Sequence, residues 1–235
     1  MYFIVCLLVP VFLFILLLIV SSLFVDCNRI YEKDSPFYRF LMNTLVLCTV
    51  FLFRIRIHVA GREIVPEGSR FLLVCNHVSG FDPFVELYVL RKHKLAFVSK
   101  EDNLHIPVIG RIIRRCGTLA IDRENARNAM STIIKAAELI NKGELSMSVY
   151  PEGTRSRTGE LLPFHNGVFK IAQKATVPVV IAVIRGTEQI RKRFPWRYTD
   201  VYLSFVDVIP ASYLVGKRTE LIGERVRDSI LNNMN

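Results

Sequence analysis

Arg70-Phe71-Leu72-Leu73-Val74-Cys75-Asn76-His77-Val78-Ser79-Gly80-Phe81-Asp82-Pro83-Phe84-Val85-Glu86-Leu87 is the stretch that decides the fold. Residues 70–75 form a short β-prone run, apolar after Arg70, that reads as a buried strand. Gly80 and Pro83 punctuate the loop behind it, and residues 84–90 read as a helix opened by Pro83. A strand feeding a helix through a short polar loop is the unit from which α/β proteins are built.

Working outward, residues 95–99, 118–121, 146–150, 179–184 and 201–208 read as further strands. Residues 124–141 carry Ala126, Met130, Ile133, Ile134, Ala137 and Ile140 at helical spacing, with Gly143 just past the end. Helices are also predicted over 167–174 and 219–231. The alternation predicts an α/β fold, with a mixed, largely parallel sheet covered by helices. At 235 residues the chain holds one such domain plus an appendage.

The appendage is the N-terminus. Residues 2–25 are uncharged and almost wholly apolar, and as a helix they would reach about 36 Å, enough to cross a hydrocarbon core. The run is too long for a signal peptide and lacks its basic leader. Residues 40–53 form a second apolar run, short for a full span and suited to an interfacial or re-entrant helix. The expected division is residues 1–53 as membrane-anchoring hydrophobic helices and 54–235 as the α/β domain. Basic residues Arg29, Lys33, Arg39, Arg54, Arg56 and Arg62 follow the first run and none precedes it. That asymmetry puts the body on the cytoplasmic side of a cytoplasmic or inner membrane.

Charge points the same way. Residues 1–53 balance Arg29, Lys33 and Arg39 against Asp26, Glu32 and Asp34, so the whole excess of +10 falls on the body. An anionic partner is implied, such as a phospholipid surface or a phosphorylated substrate. The segments 104–115 and 191–198 interleave basic with apolar or aromatic residues and suit an anionic bilayer surface; a solvated basic face is the competing reading. The basic residues form no recognised nucleic-acid module, so no nucleic-acid partner is expected. The five cysteines show neither zinc spacing nor a disulfide framework, which fits a reducing compartment. No metal is implied, and neither a serine elbow nor a metal signature supports a hydrolase.

Two patterns carry chemistry. His77 and Asp82 lie in the loop between strand and helix, close enough for the carboxylate to hold one imidazole nitrogen and leave the other free as a base. On its own an H-x4-D pair is more commonly a helix-capping histidine beside a turn aspartate. Cys75 is not read as a nucleophile, because it lies in the apolar strand with nothing to lower its pKa. Glu152-Gly153-Thr154-Arg155 follows another strand, offering close backbone approach, a hydroxyl and a fork-shaped cation to a phosphate. Alone it could equally be a polar turn.

These residues together resemble the glycerolipid acyltransferases, and specifically the bacterial 1-acylglycerol-3-phosphate (lysophosphatidic acid) acyltransferases. Asn76-His77 with Asp82 resembles the family's NHxxxxD block, and Phe97-Val98-Ser99-Lys100 with Ile106-Pro107 and Gly110 the stretch that follows it. Gly117 with Asp122-Arg123 is similar to the GxxxxDR block, and Tyr150-Pro151-Glu152-Gly153-Thr154-Arg155-Ser156 to the PEGTRS block. Pro163-Phe164 with Gly167-Val168-Phe169-Lys170, then Val177-Pro178-Val179-Val180, continue the order. The resemblance covers roughly residues 55–190. Ala120 stands where the family often has Phe, and Ile181 where many members have a second proline; both are expected near the acyl or glycerol pocket.

The resemblance implies that His77 deprotonates the 2-hydroxyl of 1-acyl-sn-glycerol-3-phosphate, that Asp82 holds its tautomer, and that the product is phosphatidic acid for phospholipid biosynthesis. The acyl donor would be acyl-CoA or acyl-carrier protein, a co-substrate, with no cofactor and no metal. Lys100, Arg123, Glu152, Gly153, Thr154 and Arg155 are expected to form the phosphate site, with Glu152 and Gly153 shaping its loop. Another acceptor, such as glycerol-3-phosphate or a different lysophospholipid, is the alternative.

Overall fold

The computed structural model describes residues 2–234, with side chains from residue 9 onward. In chain order the helices are α1 (Tyr2–Leu23), α2 (Pro36–Leu52), α3 (Asp82–Val89), α4 (Glu101–Leu104), α5 (Ile109–Arg115), α6 (Ala126–Asn141), α7 (Lys170–Ala175), α8 (Ile190–Arg193), α9 (Ala211–Leu214) and α10 (Thr219–Leu231). The strands are β1 (Ile55–Ala60), β2 (Leu72–Cys75), β3 (Leu95–Ser99), β4 (Leu119–Ala120), β5 (Ser146–Val149), β6 (Val179–Arg185) and β7 (Thr199–Ile209). They form one sheet in the order β1-β7-β6-β2-β5-β3-β4. The β6–β7 pairing is antiparallel and the other pairings are parallel.

Strand periodicity sorts the sheet residues into two cores. Leu72, Val74, Met147, Val149, Val179 and Ile181 pack on one face, beneath Ile133, Ala136 and Ile140 of α6, Ile171 of α7 and Ile222, Val226 and Ile230 of α10. Leu73, Cys75, Leu95, Phe97, Val180 and Ala182 pack on the other, against Leu41, Met42 and Val46 of α2, Val85 and Val89 of α3 and Ile112 of α5. Because both faces are covered, the central strands β2 and β6 read as continuous apolar runs. The parallel strands β2, β3, β4 and β5 all end on the same side, and the loops leaving that side carry the chemistry.

Several sequence expectations shift. Strand β1 was not expected; its Ile-Arg-Ile-His-Val alternation lies on an edge, with one side largely exposed, and directly follows an apolar run that masks it. The 124–141 helix begins instead at Ala126, because Asn125 takes the N-cap and accepts from the Arg127 and Asn128 N–H groups. Part of the 104–115 segment is the helix α5, which buries Ile112 and leaves its arginines half-buried, Arg111 donating to the Ser22 carbonyl and Arg115 to that of Lys33. The glycine of the Ile106-Pro107…Gly110 stretch has a physical reason: a Cβ there would sit 2.3 Å from the Leu104 carbonyl oxygen.

The N-terminal helices divide. Among the described side chains of α1, Val11, Phe12, Leu13, Leu16, Ile19 and Val20 are exposed while Leu18 is buried. Among the described residues no helix is long and apolar enough to cross a membrane. Helix α2 is half body and half surface: Leu41, Met42 and Val46 are buried, and Phe40, Leu47, Phe51 and Leu52 face outward. Arg39 locks it down, bonding Asp34 and donating to the carbonyls of Leu95 at 2.7 Å and Cys116 at 3.1 Å. Residues on either side of position 53 therefore share one core.

Candidate active site

His77 leaves the end of β2, where Asn76 has stitched that strand to β6. The Asn76 amide donates to the Ile184 carbonyl at 3.0 Å and accepts the Ile184 N–H at 2.8 Å. The chain then turns sharply enough for Asp82, the first residue of α3, to come back under it. Asp82 Oδ2 lies 2.8 Å from His77 Nδ1 and also accepts the Val78 and Ser79 N–H groups, each at 2.8 Å. Its other oxygen accepts a short hydrogen bond from the Thr187 hydroxyl. Asp82 is fully buried, so this donor set is what makes a buried carboxylate tolerable. With Asp82 on Nδ1, the imidazole presents Nε2 as its free base. The His77 side chain is 17% exposed, open enough to meet a substrate.

The second motif closes against the first. Glu152 is buried and spans two loops: Oε1 accepts the His77 N–H at 2.7 Å and Oε2 the Leu162 N–H at 2.9 Å. The Ser156 N–H also donates to the His77 carbonyl at 2.8 Å. Glu152 is thus a clamp on backbone, its pKa raised by burial against the pull of those N–H groups. Both oxygens are taken, and an anion there would repel a phosphate. Its place in the expected phosphate set is better described as holding the loop that presents Gly153 and Arg155.

Gly153 has φ of 72°, and a Cβ built on it would lie 3.4 Å from Arg123 Nη1 and 3.1 Å from His165 Nε2. Arg155 reaches the other way, its Nη1 3.5 Å from a Cβ position on Gly80, beside the His77–Asp82 loop. Among the described residues no carboxylate pairs with either guanidinium. Arg123 is set by Asp122, whose carboxylate accepts the Glu124 and Asn125 N–H groups and the Asn128 amide, making a tight turn ahead of α6. Thr154 is exposed on the same loop. Lys100 is not brought to this cluster by any contact: it is exposed and ion-paired with Asp102 at the start of α4.

Three contributors escaped the sequence reading. Thr187 arrives just after β6, next to β2 in the sheet, and only strand order places it on Asp82. His165 faces Gly153 because its N–H donates to the Pro151 carbonyl at 2.8 Å, folding the 160s back over the loop. The Tyr150 ring, read only as part of its block, stacks on His77 with centroids 4.1 Å apart and planes within 13°. Of the two departures noted above, Ala120 lines a cavity of about 190 Å³ with Tyr31, Leu104 and Thr118, whereas Ile181 is fully buried in β6. Cys75 is also fully buried, and burial followed by the neighbouring Glu86 and Asp82 carboxylates pushes its thiol well up, which leaves it inert as a nucleophile.

A buried carboxylate holds a histidine, and two arginines that no carboxylate pairs among the described residues lie on adjacent loops at the ends of parallel strands, which puts the parts for base chemistry beside a place for an anion. The family described as Acyltransferase matches residues 56–185, and the chain belongs to that family. It is 34% identical over 139 residues to the 1-acyl-sn-glycerol-3-phosphate acyltransferase of Cocos nucifera, a match that covers 57% of this chain and 45% of that protein. The protein of the same description from Borreliella burgdorferi is 24% identical over 196 residues, covering 83% of this chain and 78% of its own length. The chain thus spans about half the length of the plant relative. The fold is that of the Thermotoga maritima 1-acyl-sn-glycerophosphate (LPA) acyltransferase, PlsC, with a TM-score of 0.67, 24% identity and coverage of 84% of this chain and 79% of that one.

Proposed function

We propose that this protein transfers an acyl group from an acyl thioester, acyl-CoA or acyl-carrier protein, to the 2-hydroxyl of 1-acyl-sn-glycerol-3-phosphate, yielding phosphatidic acid. The observation that carries this reading is the His77–Asp82 pair, with Nε2 free, flanked by Arg155 beside Gly80 and by Arg123 beside Gly153, neither of them paired with a carboxylate among the described residues. His77 Nε2 takes the hydroxyl proton as the oxygen attacks the thioester carbonyl. Asp82 stabilises the imidazolium, and the departing thiolate then recovers that proton from His77. The acceptor brings its own nucleophile, so the absence of a nucleophilic role for Cys75 is consistent. Arg123 and Arg155, with Gly153 allowing close backbone approach, suit the phosphate monoester. The test is turnover by the purified full chain with 1-acylglycerol-3-phosphate, glycerol-3-phosphate and other lysophospholipids as acceptors, each against a panel of CoA and carrier-protein thioesters. Preference for glycerol-3-phosphate would overturn the assignment of acceptor.

The site of action is proposed to be the cytoplasmic face of a cytoplasmic or inner membrane, with the N-terminal helices as anchor. Support comes from the exposed apolar side chains of α1 and from Phe40, Leu47, Phe51 and Leu52 on the outer side of α2. Trp196, at 84% exposure within the basic 191–198 segment, suits an interfacial position.

A further inference from the structure

Beneath the His77–Asp82 pair lies a second buried carboxyl group that the proposed chemistry does not use. Glu86 follows Asp82 by four residues, one turn along the same face of α3, and is fully buried. Its Oε2 accepts the Ser148 hydroxyl of β5 at 2.6 Å. Its Oε1 has no hydrogen-bond partner among the described residues, and neither does the buried hydroxyl of Tyr150. These two orphans belong to neighbouring groups: Glu86 bonds Ser148, Tyr150 follows Ser148 by two residues and so leaves the chain on the same side, and Tyr150 packs in the same core as Cys75 and Val85. The ring of the same tyrosine is the one that stacks flat on His77 at 4.1 Å.

We propose that Glu86 is a positioning residue for acyl transfer: it holds Tyr150 by its hydroxyl, and Tyr150 is the plate on which the His77 imidazole rests. Asp82 fixes one edge of the imidazole but leaves rotation about the Nδ1–carboxylate axis open. A parallel ring at van der Waals distance removes that freedom and sets where Nε2 points. The tyrosine can serve as such a plate only if its own buried hydroxyl is anchored, and Glu86 is the group placed to do it.

The surroundings make Glu86 suited to this as a neutral acid. Burial raises its pKa to about 8, Asp82 pushes the same way, and the hydroxyls of Ser148 and Tyr150 and the thiol of Cys75 pull back only in part. Facing it are Cys75 at the end of β2, Asp82 on its own helix and Ser148 and Tyr150 from β5, and none of these is a cation. Below that pH the neutral carboxyl can accept the Tyr150 hydroxyl on its free carbonyl oxygen while still accepting from Ser148. Above it, a second carboxylate would form beside Asp82 with nothing to neutralise it.

The proposal rests on the acyl-transfer reading, and one experiment separates the two. The full chain, its histidines ¹⁵N-labelled, is compared with Glu86→Gln, Glu86→Leu, Tyr150→Phe and the Leu/Phe double variant. Two quantities are read: the His77 ring signals by NMR, which require no turnover, and kcat and KM with 1-acylglycerol-3-phosphate and acyl-CoA from about pH 6 to about pH 10. Glu86→Gln, an isostere of the protonated acid, should keep a single Nδ1–H tautomer and near-wild-type kcat, and should lose the decline in kcat above about pH 8. Glu86→Leu and Tyr150→Phe should each broaden the His77 signals and lower kcat by about tenfold to a hundredfold, with both KM values little changed. The double variant should be no worse than either single one. Unchanged His77 signals in Glu86→Leu, a Glu86→Gln variant as impaired as Glu86→Leu, or multiplying losses in the double variant would each overturn the proposal. Failure of the wild-type chain to use 1-acylglycerol-3-phosphate would overturn the acceptor assignment alone, because the His77 signals still report on the stacking.

Discussion

The Glu152 carboxylate accepts the backbone N–H of His77 at 2.7 Å, joining two motifs separated by 75 residues of chain. Its other oxygen secures Leu162 at 2.9 Å, so one buried side chain sets the relative height of the base and the anion loop. A Glu152→Ala variant would strand two backbone donors, at a cost of ~1–3 kcal/mol each. Thermal melts should show a clear drop in Tm, and kcat should fall with it. A variant that melts as wild type would show that the two loops are held together by other contacts.

His77→Ala should lower kcat by ~10²–10⁴-fold while leaving the fold intact, since a positioned base contributes about that much. Asp82→Asn should cost comparably, because the amide must place a donor either where three donors converge on one oxygen or where Thr187 donates to the other. Steady-state kinetics with circular dichroism of each variant checks this. Retention of more than about a tenth of wild-type kcat in His77→Ala would remove it from the role of base.

Arg155→Ala and Arg123→Ala should each raise KM for the phosphorylated acceptor, with little change for the thioester. Losing a charge-assisted contact to phosphate costs ~1.5–3 kcal/mol, roughly a tenfold to hundredfold effect. Varying each substrate in turn at saturation of the other distinguishes this from a structural role, which would move both. Lys100→Ala, with its ammonium on Asp102 at the surface, should change acceptor KM far less.

Stability should depend on pH through Glu86. Its folded pKa of about 8 stands above the ordinary 4.5, so the stability it contributes is fully present below about pH 4.5. As pH rises, the unfolded chain releases the proton while the folded chain retains it, and the contribution drains away through about pH 8. Glu152, raised by burial, acts in the same sense. Tm of wild type relative to Glu86→Gln should therefore decline steadily between mildly acidic and mildly alkaline buffer. A difference that stays level with pH would show that Glu86 titrates normally.

Removing residues 1–16 should weaken membrane association while leaving the body folded, because Leu18, Ser21, Ser22 and Val25 are buried and survive this cut. Extending the deletion through residue 53 should destabilise the body, since it takes Leu41, Met42, Val46 and the Arg39 bonds to Leu95 and Cys116 out of one shared core. Vesicle flotation at low and high salt, beside thermal melts, checks both. Unchanged flotation of the shorter truncation in high salt would place the firm anchor in α2, because salt screens the basic segments.

Local order was legible in the residues alone. The strand–loop–helix around His77 follows from apolar runs, Gly80 and Pro83, which act over a few residues and do not need the rest of the fold. The reach of Asp82 back to His77 was readable for the same reason, five residues being a single turn of chain. Strands β3 and β6 fell within a residue of where their apolar runs ended, whereas β1 was hidden because an exposed edge strand gives only a weak alternating signal. The block order carried the family. Which groups surround the base was settled elsewhere: β6 and β5 flank β2 in the sheet, and that order alone delivers Thr187 to Asp82 and Tyr150 and Ser148 to the floor of the site. The same non-local packing supplied the means by which Glu152 shapes its loop, as a buried clamp on the His77 and Leu162 N–H groups, and left Lys100 paired at the surface, because burial and partner are properties of the assembled sheet and not of any short stretch of sequence.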